Sequence, residues 1–165
     1  MSDAPAAAAK SLDPLAQAYI GALGLMMLCV LVFAVFSFDI DTGDAPAEAQ
    51  ALIGAMSSTL NANVPALIKS NEGRLIFFAG LAGIGLLLYA TFNQMPWPWL
   101  PSALVACGSL AVVMFIIVFF RAGGDAGSPL TGDVDVDLTF MGYYVPFLAA
   151  IGATVIAAKR VSAAK

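Results

Sequence analysis

The sequence predicts an all-α integral membrane protein with four transmembrane helices. Three observations carry that expectation. First, residues 19–38, 75–92, 100–120 and 140–158 contain no Asp, Glu, Lys, Arg or His. Each is close to the roughly 20 apolar residues that cross a bilayer core about 30 Å thick. Second, the chain of 165 residues is 61% hydrophobic and only 11% charged, with a mean hydropathy of +0.90. A soluble domain is about one quarter charged, so the surplus apolar surface must face lipid. Third, aromatic residues cluster at both ends of these stretches, where Tyr and Trp favour the membrane–water boundary. Phe36, Phe38, Phe77, Phe78, Phe119, Phe120, Phe140, Tyr143 and Tyr144 fall at one boundary, and Tyr19, Tyr89, Phe92, Trp97 and Trp99 at the other.

Residues 1–18 read as a disordered cytoplasmic tail with room for a short helix before the membrane, because Asp3, Lys10, Asp13, Pro5 and Pro14 leave no face to pack. A single lysine and an overlong apolar run make a poor cleaved signal. The first span, residues 19–38, ends against Asp39, Asp41 and Asp44. In the connection that follows, Asp44 suits a helix cap and Pro46 a first helical turn. Leu52, Ile53, Met56 and Leu60 then recur at helical spacing, which predicts a short amphipathic helix. Such a helix lies on the bilayer or on its own bundle, or docks a partner.

The second span, residues 75–92, contains Ala79 and Gly83, a small-xxx-small pair that lets another helix come close. Met95-Pro96-Trp97-Pro98-Trp99-Leu100-Pro101 follows. Its three prolines deny the turn a helical path and make spans two and three a tight hairpin. Trp97 and Trp99 read as interface anchors. The third span covers residues 100–120. After a Gly- and Asp-rich connection, the fourth covers 140–158, with Ala149, Ala153 and Ala157 at four-residue spacing. Residues 159–165 form a short basic cytoplasmic tail, and residues 19–158 are one transmembrane domain.

Four crossings put both termini on one side, here called the tail side. It carries four Lys and Arg against two acids, and the loop side three against nine. The orientation rule counts basic residues, so the termini are expected in the cytoplasm. The Ala-rich composition fits a bacterial inner membrane. The net charge of −4 argues against a nucleic-acid partner.

Candidate chemistry is confined to the loop side. Asp133, Asp135 and Asp137 alternate with two valines and would align three carboxylates along one edge if extended. With Asp39 and Asp41 they form a candidate cation site, and clustered carboxylates suit calcium. The spacing is not that of an EF-hand, since Leu138 and Tyr144 stand at its glycine and glutamate positions. Arg74 and Arg121 should share one rim, where they would bind lipid phosphate or pair with Glu72 and Asp125. Cys29 and Cys107 read as small apolar core residues. No other cofactor is expected.

These features predict a non-enzymatic accessory or structural subunit. It would pack in the bilayer with membrane lipid, partner membrane proteins or copies of itself. The alternative is a small oligomeric transporter or channel for a neutral or apolar solute. Spans without ionisable residues disfavour ion-coupled transport.

Overall fold

A computed structural model of the chain describes residues 12–40, 46–93, 97–125 and 134–163. The fold is all-α, with four helices long and apolar enough to cross a membrane. A two-stranded ribbon and one extra helix sit on the loop side.

Helix α1 (Pro14–Val32) begins where its cap stands. The Ala16 N–H donates to the Asp13 carboxylate at 2.6 Å, and Pro14 needs no N–H partner in a first turn. The helix thus starts upstream of Tyr19 and takes in part of the segment expected to be disordered; residues 1–11 lie outside the described residues. It also ends early. Residues 33–38, expected to finish the first span, leave the helix after Val32, and Phe36–Ile40 forms strand β1. The reason is a competing partner. Strand β2 (Val134–Leu138) pairs with it antiparallel, Phe36 opposite Leu138 and Ile40 opposite Val134. Phe, Val and Ile suit a strand at least as well as a helix, so the available ladder decides.

Helix α2 (Ala47–Asn63) is the expected amphipathic helix, and β1 is its principal neighbour. Asp44, its expected cap, lies outside the described residues. A 3-10 turn (Leu67–Lys69) leads into α3 (Asn71–Asn93), where the Ser70 hydroxyl accepts from the Gly73 N–H at 2.9 Å. Helix α4 spans Leu100–Asp125. A π-helical turn (Phe140–Tyr144) then opens α5 (Val145–Ala163), which absorbs most of the expected basic tail.

The four long helices form a closed ring in which α1 touches α3 and α5, and α4 touches the same two. The inward positions are Ala16, Tyr19, Leu23, Met26 and Val30 on α1, and Leu104, Gly108, Ala111, Phe115 and Val118 on α4. On the π-helical turn and α5 they are Tyr143, Pro146, Ala150, Ala153 and Ala157. Intervals of three and four alternate, as they do in left-handed bundles with knobs-into-holes packing. In lipid the hydrophobic effect does not drive helix association; close packing and internal hydrogen bonds do. On α3 that need is met by Ala79, Gly80 and Gly83, all buried. A β-carbon on Gly83 would stand 2.6 Å from the Tyr19 hydroxyl. The small pair Ala79 and Gly83 therefore serves packing within the chain.

Candidate functional site

The long connections meet at the loop-side end of the bundle. One residue joins them. The Thr139 N–H donates to the Val35 carbonyl at 2.8 Å, continuing the β1–β2 ladder by one bond. Its hydroxyl donates to the Ala34 carbonyl at 2.5 Å and accepts from the Gly142 N–H at 3.1 Å. Thr139 thereby caps the turn that opens α5 while tying it to the chain leaving α1. Gly142 lies against the same Ala34 carbonyl, and a β-carbon there would overlap it. Only glycine permits this approach.

The π-helical turn inserts one residue into the helical path. Such turns cluster at functional positions in proteins generally. Here the turn points Tyr143 into the bundle and leaves Tyr144 at the surface. The Tyr143 hydroxyl donates to the buried Phe115 carbonyl at 3.0 Å. Its ring stacks on Phe147 at 5.7 Å between centroids and meets Phe115 edge-on at 5.8 Å. Near the tail side Tyr19 makes the corresponding bond, donating to the Leu104 carbonyl at 3.1 Å. A buried hydroxyl left unpaired would cost about 1–3 kcal/mol, so each tyrosine is anchored to α4.

Outside the Tyr143 cluster lies a cleft of about 280 Å³ between α4 and α5. Ile116, Phe119, Phe120, Tyr143, Tyr144 and Phe147 line it, and nearly all of that lining is apolar. Phe120 is 71% exposed and Phe119 is 48% exposed. Both stand at the end of a span, so the cleft lies at the loop-side boundary of the spans. It offers shape and aromatic surface and no acid–base pair.

The sequence-predicted site residues separate into groups. Backbone pairing places Asp39 directly opposite Asp135, and Ser37 opposite Asp137. Of the two acidic clusters, the described main chain brings together Asp39 and Asp135. The Asp137 side chain is exposed. Asp41 and Asp133 lie outside the described residues, and with them part of the expected calcium site. Among the described residues no three Cys, Asp or Glu side chains converge to hold a metal ion.

Arg121, 71% exposed at its side chain, pairs with Glu72 across α3 and α4. Arg74 is exposed in the first turn of α3 and has no ion pair among the described residues. On the tail side Trp97 stacks on Trp99 at 4.9 Å and on Tyr89 at 5.5 Å, forming a ladder of three rings. Asp13 pairs there with Arg160 and joins the first helix to the last. Partial burial works against the Asp13 carboxylate. The Ala16 N–H bond and the Arg160 guanidinium together outweigh it and hold the carboxyl below its ordinary value.

Sequence reasoning missed Thr139, Gly142 and β1. A signal existed for β1. Phe36-Ser37-Phe38-Asp39-Ile40 alternates apolar and polar as Val134-Asp135-Val136-Asp137-Leu138 does. The apolar run before it disguised the alternation as the end of a span. Comparison with family models, characterised proteins and solved structures finds no match.

Proposed function

We propose that this protein is a non-enzymatic accessory or structural subunit that packs in the bilayer against partner membrane proteins or copies of itself. One observation carries the reading. The aromatic cleft between α4 and α5 is an apolar, ring-lined concavity at the loop-side end of the spans, beside helices whose inward faces are already occupied by one another. A side chain or helix edge from a neighbour fits such a surface, and aromatic residues supply large contact area at little entropy cost. The interior of one copy supports the same reading over transport. Its buried positions are apolar among the described residues, and both buried tyrosine hydroxyls are bonded to main-chain carbonyls. A polar solute would find no path there.

We further propose a bacterial inner membrane, on the Ala-rich composition, with both termini cytoplasmic, on the tail-side excess of Lys and Arg. Extraction in a mild detergent, followed by mass measurement of the eluted particle, tests the subunit reading. The full chain should elute in an assembly larger than one copy, and filling the cleft with Ile116→Trp should release it. Elution of the native protein as a monomer overturns the proposal.

A further inference from the structure

The loop side carries three basic residues, Lys69, Arg74 and Arg121, and all of them stand at the start of α3 or the end of α4. They are not used alike. Arg121 is held by Glu72, whose side chain is only 15% exposed. Lys69, in the 3-10 turn, and Arg74, in the first turn of α3, are both exposed. Among the described residues neither has an ion pair or a side-chain hydrogen bond.

Helix geometry gives the difference a reason. Side chains on an α-helix lean toward its N-terminus. Helix α4 reaches the loop side at its C-terminal end, so Arg121 leans back toward the apolar core. A guanidinium there needs a partner, and Glu72 supplies one. Helix α3 starts on the loop side, and its span runs from Asn71 to Asn93. Arg74 therefore leans the other way, out of the bilayer toward the headgroups of that leaflet. Phe78 and Leu81 lie on the same helical face, one and two turns further in, and are 59% and 50% exposed. One face of α3 thus sets a cation without a partner directly above open apolar surface. A phospholipid has the matching order, phosphate above and acyl chain below. Free phosphate would meet the cation and leave the apolar surface unused.

We infer that this face of α3 binds an anionic phospholipid of the loop-side leaflet. The Arg74 guanidinium holds the phosphate, Lys69 adds positive charge at the start of the helix, and the acyl chain lies along Phe78 and Leu81. A guanidinium offers phosphate two parallel N–H donors, which an ammonium does not. Net charge on the lipid matters as well, because a zwitterionic headgroup brings its own cation to its phosphate and gains less from the protein's. The inference goes beyond the subunit reading and does not depend on it, since no second protein is required.

Native mass spectrometry of the full chain in mild detergent, titrated with phosphatidylglycerol or phosphatidylcholine, tests this. Phosphatidylglycerol should bind about tenfold more tightly, the size expected of a charge-assisted phosphate contact. Arg74→Gln should abolish that preference, and Arg74→Lys should restore part of it. Lys69→Gln should reduce it by less, and Lys159→Gln, on the tail side, should leave it unchanged. The Arg74 side chain has no bonded partner among the described residues, so Arg74→Gln should keep the Tm of the native chain. A large excess of inorganic phosphate should not displace the lipid. Equal binding of the two lipids overturns the inference, as does a preference that survives Arg74→Gln. Displacement by inorganic phosphate also overturns it, by assigning Arg74 to a free anion.

Discussion

The two ends of the bundle are closed by different means. On the tail side the closure is made by side chains at the surface: the Asp13–Arg160 pair and the ladder of Tyr89, Trp97 and Trp99. On the loop side it is made largely by main chain. The β1–β2 ladder, the Thr139 bonds to Ala34 and Val35, and the close approach of Gly142 join connections about a hundred residues apart in sequence. Side-chain closure at a surface is screened by water and salt and yields gradually. Main-chain closure has no rotamer to change, so a misplaced atom must move a whole segment. The loop-side end should therefore be the steeper of the two in its response to substitution.

The sharpest way to break this comparison is Gly142→Ala. The added methyl group overlaps the Ala34 carbonyl, and neither backbone can yield without disturbing the ribbon or the π-helical turn. A loss of about 3 kcal/mol is expected, the upper part of the usual overpacking range, read as a lower Tm of the purified protein in detergent. An unchanged Tm would mean that the two connections are not held this closely.

Thr139→Ala should cost less, about 1–2 kcal/mol, through loss of a cap and of the bond to Ala34. Thr139→Ser keeps the hydroxyl and should recover most of that loss. Equal Tm values for the two variants would separate the hydroxyl from the closure.

The smallest effect belongs to the tail side. Asp13 has a carboxyl held below its ordinary value of 3.8, so the folded protein favours the charged form. Its contribution is fully present above the ordinary value and is lost as pH falls through the lower folded value. An acid titration of Tm should show a shallow fall in that window, reduced by salt and missing in Asp13→Asn. A fall of the same size in the variant would assign it to other carboxylates.

The candidate site was only half legible in the sequence. Alternation of Asp133, Asp135 and Asp137 with valines suggested an extended edge, and β2 covers the described part of it. Pairing with Glu72 was one of the alternatives open to Arg121, beside lipid phosphate, and it is the one present. The aromatic residues near the ends of spans three and four were visible as well. Their union into one cleft around Tyr143 was not, because it depends on which way the helix turns after Thr139. A π-helical turn shifts every following side chain by about one position, and no local residue preference announces it.

The sequence by itself determined that four segments cross a membrane, that their connections alternate in length, and that negative charge gathers on one side. Length, apolarity and charge are local properties and need no knowledge of neighbours. The inward face of each helix was decided only in the tertiary structure. In a soluble bundle the polar face reveals the buried one. Here lipid and core are both apolar, so Leu23 and Leu25 look alike in sequence, yet one is fully buried and the other 46% exposed. The end of α1 was settled in the same way. Phe36 to Ile40 could have prolonged a helix, and the pairing with Val134 to Leu138 made it a strand.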